Sequence, residues 1–239
     1  MMRILPDLES LSRAAAELIA EQSKIAIEAH NRFSLVLSGG KTPQRTYELL
    51  ATEPCATTIQ WNKVHVFWGD ERCVPPDDRR SNEHAAREAF LDRVPIPTDQ
   101  IHPIRCAPTP QKAVFEYESV LKAYFGNRPA AFDVVLLGLG EDGHTASLFP
   151  GSRALKEDKR WVVEGNSGKD DFQRATLTPH IINRAAMVVF LVAGKEKAKV
   201  LRQVTANDAT GEPLPARLIR PSNGKLVWLV DKEAGGIMN

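Results

Sequence analysis

Asp133-Val-Val-Leu-Leu-Gly-Leu-Gly-Glu-Asp-Gly-His-Thr-Ala-Ser-Leu-Phe149 is the stretch whose reading decides the fold. Val134 to Leu137 form a short apolar run that reads as a buried strand. Three glycines follow, the third flanked by Asp142 and His144, so a strand delivers a titratable pair to a loop. Gly138-Leu-Gly140-Glu-Asp-Gly143 formally matches a dinucleotide fingerprint, but such a site needs a full helix after the third glycine. Pro150-Gly151 interrupts the chain only seven residues after Gly143. The glycines are therefore read as letting the backbone turn sharply and approach a ligand.

Outward from this strand the chain alternates between helical and extended patterns. Leu8, Leu11, Ala15, Leu18 and Ile25 recur at helical spacing and predict a helix over residues 8–30. Phe33 to Leu37 reads as a strand running into Ser38-Gly-Gly-Lys-Thr-Pro43, with Thr42 as a candidate cap and Pro43 in the first helical turn. Val64 to Trp68 is a second strand, opening onto Gly69-Asp-Glu-Arg72 and a long polar loop. Ser81 caps a predicted helix to Leu91, and residues 101–104 make a short strand. Residues 109–125 predict a helix ended by Gly126. Weak strand patterns surround residues 161–163 and 175–177. Met187 to Val192 is a strong strand, followed by Gly194-Lys-Glu-Lys197 and a helix to about Val204. A turn at residues 213–216 leads to a short helix, and residues 226–230 form the last strand. This alternation predicts an α/β fold: one domain over residues 1–239, doubly wound, with a mainly parallel sheet and helices on both faces. Such sheets gather their strand-exit loops on one edge, where ligands bind.

With 239 residues, 43% hydrophobic and 26% charged, the chain can bury a large core unaided. A net charge of +1 speaks against a general polyanion binder, so no nucleic-acid partner is expected and any phosphate site must be local. No apolar run approaches the ~20 residues of a membrane span, and no signal peptide is expected. Cys55, Cys73 and Cys106 lack metal-ligand spacing and leave one thiol over, which favours a reducing, cytoplasmic setting.

Several loops carry chemistry. Residues 38–42 offer backbone N–H groups at a helix start, two hydroxyls and a cation, a combination suited to phosphate. They are not a Walker loop, because Leu35 occupies the position of its first glycine. His144 is the candidate general base, since an imidazole titrates near neutrality. The spacing of Asp142 and His144 does not decide whether they touch. The Gly69-Asp-Glu-Arg72 loop brings carboxylates and a guanidinium that can orient a hydroxylated substrate or hold phosphate, and a solvated charge cluster is the plainer alternative. Arg174, Lys195 and Lys197 add cations near later strand ends. No His-Glu-x-x-His or paired-Cys pattern occurs, so no metal is expected.

Taken in order, Leu37-Ser-Gly-Gly-Lys-Thr-Pro43, Trp68-Gly-Asp-Glu-Arg72 with Ser81-Asn82, Gly138-Leu-Gly-Glu-Asp-Gly-His-Thr-Ala-Ser-Leu-Phe-Pro150, Arg174-Ala-Thr-Leu-Thr178, Gly194-Lys-Glu-Lys-Ala198 and Leu214-Pro-Ala-Arg217 resemble the 6-phosphogluconolactonase family. The resemblance implies a Rossmann-like fold of the sugar-phosphate isomerase type. It implies hydrolysis of 6-phospho-D-glucono-1,5-lactone without metal or nicotinamide cofactor. By the same resemblance His144 is the base, supported by Asp142 and Gly143. Asp70 and Arg72 lie at the reacting end, while Ser38, Gly39, Gly40, Thr42, Arg174 and Lys197 hold sugar or phosphate. The partner expected is this small molecule alone, with no membrane, and the chain a monomer or else a dimer. Rival readings are an amino-sugar phosphate isomerase-deaminase, a sugar-phosphate sensor and a nicotinamide-dependent dehydrogenase. The first uses a glutamate shortly after its histidine, and residues 145–150 contain no carboxylate.

Overall fold

A computed structural model describes residues 1–106, 109–168, 172–206 and 213–236. The strands are β1 (Met2–Leu5), β2 (Phe33–Leu37), β3 (Val64–Trp68), β4 (Asp70–Arg72), β5 (Ile101–His102), β6 (Val134–Leu137), β7 (Val162–Gly165), β8 (Arg174–Leu177), β9 (Met187–Val192) and β10 (Lys225–Asp231). The α-helices are α1 (Leu8–His30), α2 (Gln44–Leu50), α3 (Cys55–Thr58), α4 (Asn82–Ala89), α5 (Pro110–Phe125), α6 (Pro179–Ile182), α7 (Ala198–Thr205) and α8 (Lys232–Gly235).

Seven strands form one wholly parallel sheet in the order β1-β10-β9-β6-β2-β3-β5. Its central strands are apolar without alternation because both faces are covered: every residue of β2, β6 and β9 is buried. Phe190 of β9 and Trp228 of β10 stack with ring centroids 4.0 Å apart. Truncating a buried aromatic of this kind to alanine costs about 3–5 kcal/mol. From β2 the chain proceeds outward to β3 and β5, and from β6 it proceeds the other way to β9 and β10. The β2–β6 boundary is thus the switch point of the sheet, where a crevice opens at the carboxyl ends of the strands.

The helix ends follow local chemistry. The Asp7 side chain accepts a hydrogen bond from the Ser10 N–H at 2.7 Å and starts α1, and Asn31 ends it in a left-handed conformation with φ 62°. Ser81 and Thr109 cap α4 and α5 through their hydroxyls. Thr42 does not cap α2: Pro43 precedes Gln44 in helical conformation, and no side chain caps the start. The proline sets the entry by its fixed φ instead. The outward ends of the α1 pattern, Leu8 and Ile25, are 39% and 51% exposed, because Leu11, Ala15 and Ile19 form the face that packs.

Three further departures from the sequence reading bear on function. Gly69-Asp-Glu-Arg72, expected as a loop, contains strand β4. The weak segments β7 and β8 leave the main sheet and form a second, antiparallel sheet, β4-β8-β7. This pairing is non-local and the strands have three or four residues, too few for periodicity to show. β1 was also unpredicted; it pairs with β10 at the sheet edge. Finally, Cys73 and Cys106 form a disulfide with Cα atoms 4.8 Å apart, leaving Cys55 buried and free. One thiol is left over as the odd count requires, while such a pair is uncommon in the reducing setting that the cysteines were read as favouring. Among the described residues no helix is long and apolar enough to cross a membrane.

Candidate active site

The crevice at the switch point is a cavity of about 670 Å³. Ser38, Gly39, Gly40 and Thr42 line it from the exit of β2, and Asp70 and Arg72 from β4. Asp142 and His144 enter from the loop after β6, Arg174 from β8, and Lys197 from the turn before α7. Ten of the eleven residues that the family resemblance assigns to the site therefore meet in one place. Gly143 stands behind the lining. Its φ of 80° is open to glycine, and a Cβ there would meet Leu214 at 2.9 Å.

The loop after β6 folds tightly on itself. The Gly140 N–H donates to the His144 carbonyl at 2.8 Å, the Gly143 N–H to the Gly140 carbonyl at 3.0 Å, and the Thr145 hydroxyl to the Gly138 carbonyl at 2.8 Å. His144 Nδ1 lies 2.6 Å from Asp142 Oδ1, so the two residues do touch. With Nδ1–H donated to the carboxylate, Nε2 carries the lone pair. The imidazole packs at 4.7 Å against the Phe149 ring and directly over Gly140, where an added Cβ would sit 2.0 Å from Nδ1.

A half-buried carboxylate, Asp70, shares the cavity lining with His144. The Ser147 hydroxyl donates to Asp70 Oδ2 at 2.5 Å, which ties the His144 loop to β4. Burial raises the Asp70 pKa above its ordinary value, while Ser147 and the charges of Arg72, His144 and Arg174 work the other way. Glu71 points away from the cavity. Its carboxylate accepts from the N–H groups of Arg72, Asn82 and Glu83 and from the Ser81 hydroxyl, anchoring β4 on the start of α4. Burial lifts the Glu71 pKa to about 7 against the pull of those amides. Asn82 then donates to the Asp70 carbonyl at 2.9 Å and lies against Gly39, where a Cβ would come within 2.1 Å of its Oδ1.

The cations differ in setting. Arg174 is 6% exposed, donates to the Phe172 carbonyl at 2.9 Å, and lies between the Phe149 and Phe172 rings at 5.5 and 5.7 Å. Arg72 donates to the Arg80 carbonyl at 2.9 Å. Lys197 reaches Glu141 at 3.9 Å, on the cavity rim. Lys195 lies outside the lining, so of the two lysines in its turn only Lys197 faces the crevice. Ser147, Asn82 and Phe149 were given no role by the sequence reading. Ser147 is only three residues beyond His144, but nothing local announces a contact with a carboxylate 77 positions away. No three His, Cys, Asp or Glu side chains gather to hold a metal ion among the described residues.

A family model described as glucosamine-6-phosphate isomerases/6-phosphogluconolactonase matches residues 6–228. The chain is 44% identical to a 6-phosphogluconolactonase of Nostoc sp. over 98% of its own length and 96% of that protein's. It is 43% identical to one of Synechocystis sp., covering 97% and 95%. A solved 6-phosphogluconolactonase structure from Trypanosoma brucei superposes with a TM-score of 0.90 at 31% identity, covering 100% of this chain and 98% of that one.

Proposed function

Because this chain belongs to the glucosamine-6-phosphate isomerase/6-phosphogluconolactonase family, we infer that it hydrolyses 6-phospho-D-glucono-1,5-lactone to 6-phospho-D-gluconate, the second step of the oxidative pentose phosphate pathway. The observation that carries the mechanism is the 2.6 Å contact between Asp142 and His144 at the cavity wall.

A lactone is an activated ester, and its hydrolysis changes no oxidation state. The chain must supply positioning, a base and stabilisation of developing charge. Water attacks C1 while His144 Nε2 takes its proton. Asp142 holds the ring tautomer and stabilises the imidazolium that forms. The carbonyl oxygen becomes an oxyanion, for which Arg72 or loop N–H groups are the donors at hand. As the tetrahedral centre collapses, the C1–ring oxygen bond breaks. His144 returns the proton to that oxygen, giving the open hydroxy acid. Asp70, oriented by Ser147, faces the sugar hydroxyls. Residues 38–42, Arg174 and Lys197 hold the phosphate, so that binding energy far from C1 positions the reacting bond.

One chain's own residues complete the cavity, which suits a monomer. A charged sugar-phosphate substrate suits a cytoplasmic enzyme. The test is an assay with freshly prepared phospholactone, corrected for spontaneous hydrolysis, on the wild type and His144→Ala. The wild type should turn over the lactone and the variant should bind it while losing most turnover. Equal turnover would remove His144 as the base. Ammonia release from glucosamine 6-phosphate without lactone hydrolysis would move the chain to the deaminase branch of its family.

A further inference from the structure

The two strands that launch the cavity walls both outrun their sheet partners. The Gly69 N–H donates to the Leu37 carbonyl at 2.9 Å, so Leu37 faces β3 and, by the alternation of a strand, Ser38 turns its N–H and C=O toward β6. The β2–β6 ladder has only two rungs, Leu35 opposite Val134 and Val36 opposite Val135, and does not reach Ser38. Trp68 likewise turns toward β5, and that ladder ends at Phe67 opposite His102. Each orphaned residue meets a tyrosine hydroxyl instead. Tyr47 of α2 accepts from the Ser38 N–H at 2.9 Å and donates to the Ser38 carbonyl at 2.7 Å. Tyr117 of α5 accepts from the Trp68 N–H at 2.9 Å and donates to the Trp68 carbonyl at 3.0 Å.

The same device thus occurs twice, on adjacent strands and from separate helices. Both rings are buried, Tyr47 to 4% exposure and Tyr117 to 2%. A hydroxyl has one proton to give and lone pairs to accept, so one oxygen can satisfy both backbone groups of a single residue. Each takes the place of a missing strand at the point where β2 becomes the Ser38 loop and β3 becomes the Asp70 arm.

We propose that Tyr47 and Tyr117 are positioning residues for the reaction: their hydroxyls stand in for absent strand neighbours and aim the two cavity walls, Tyr47 the phosphate loop and Tyr117 the Asp70 arm. The assignment to Tyr47 rests on the reading of residues 38–42 as a phosphate site. Tyr47→Phe removes one oxygen and no bulk, leaving the Ser38 backbone groups without their partner, so the loop loses its aim.

The experiment measures kcat/KM for the phospholactone and for the unphosphorylated lactone in the wild type, Tyr47→Phe, Tyr117→Phe and Thr42→Ala. A loss of folded enzyme lowers both rates together and leaves their ratio unchanged. Tyr47→Phe should lower the ratio about tenfold, the worth of one net hydrogen bond. With rates expressed per mole of folded enzyme, measured by circular dichroism, Tyr117→Phe should lower both and keep the ratio, and unchanged rates per folded molecule overturn its role. A fall in the ratio for Tyr47→Phe supports the proposal whatever Thr42→Ala does. An unchanged ratio in Tyr47→Phe with a lowered one in Thr42→Ala overturns it while leaving the phosphate loop in place. An unchanged ratio in both variants removes phosphate from this loop, and the proposal with it. If the wild type hydrolyses neither lactone above background, the functional reading itself fails. Should Tyr47→Phe not fold, amide exchange in the wild type decides. Ser38 and Trp68 should exchange as slowly as Val36 and Val66, and exchange at loop rates overturns the clasp.

Discussion

A single oxygen, Asp142 Oδ1, receives both His144 Nδ1 at 2.6 Å and the His144 backbone N–H at 3.2 Å. The carboxylate therefore fixes the ring and the peptide that carries it. Asp142→Asn keeps the shape, but its amide can present N–H to Nδ1 and favour the wrong tautomer. kcat should fall by about 10²–10⁴ with KM changed little, as for other carboxylate–imidazole pairs. An unaltered kcat would show that the ring needs no such partner.

Gly140→Ala separates catalysis from stability. Its Cβ would stand 2.0 Å from His144 Nδ1, and the backbone there is not in the left-handed region. To move away the ring must give up its contact with Asp142, a loss of about 1 kcal/mol, so the melting temperature should fall by only about 2–4 °C. kcat should nevertheless drop by about tenfold or more, because Nε2 leaves its line to C1. Retained kcat would show that the ring tolerates displacement.

Lys197 gives the opposite control on the phosphate end. Among the described residues it forms one ion pair, with an exposed Glu141 at 3.9 Å, and such pairs contribute about 0–1 kcal/mol. Lys197→Ala should leave thermal stability alone and raise KM about tenfold, with a weaker dependence of kcat/KM on ionic strength. A lowered kcat at constant KM would place Lys197 at the reacting end instead.

Acid should destabilise the chain through a site remote from the crevice. His65 and His102 stack at 5.5 Å with Nδ1 and Nε2 3.2 Å apart, and burial first, then the His102 neighbour, pushes the His65 pKa from 6.5 to about 4. The folded chain keeps this ring neutral while the unfolded chain protonates it. The stabilisation is fully present above pH 6.5 and is lost as pH falls toward 4. The ring is only half buried, so solvent screening limits the effect to about 1 kcal/mol. Chemical denaturation across that pH window should show His65→Phe losing less stability than the wild type, and parallel losses would exclude the pair.

The parallel sheet was legible because β2, β6 and β9 are buried on both faces and leave unbroken apolar runs. Most candidate residues of the crevice were legible because they follow ends of the parallel strands, which doubly wound topology collects; Arg174 instead opens β8 of the second sheet and was legible only from its motif. The second sheet was not legible. Asp70–Arg72 has three residues, and its pairing with Arg174–Leu177 spans about a hundred positions. The Ser147–Asp70 contact and the Tyr117–Trp68 clasp escaped for the same reason, being 77 and 49 positions apart, while Tyr47 and Ser38, nine apart, sit on a helix and a strand end. Each joins groups that no local pattern relates, and the tyrosines look like ordinary core residues of amphipathic helices.

The antiparallel register seats Arg72 directly opposite Arg174. Two guanidinium-bearing residues on facing positions of neighbouring strands repel. Backbone carbonyls of Arg80 and Phe172 accept from them, and the Asp70 carboxylate at the start of β4 is drawn to both charges. The carboxylate offsets part of that repulsion, so two cations and one anion hold one another in a balance that a charge change on either strand disturbs. Neutralising either arginine would relieve the repulsion but leave the Asp70 carboxylate with one cation fewer, so the two effects offset each other. A hardier version of this enzyme is therefore better sought elsewhere in the chain than along β4 and β8.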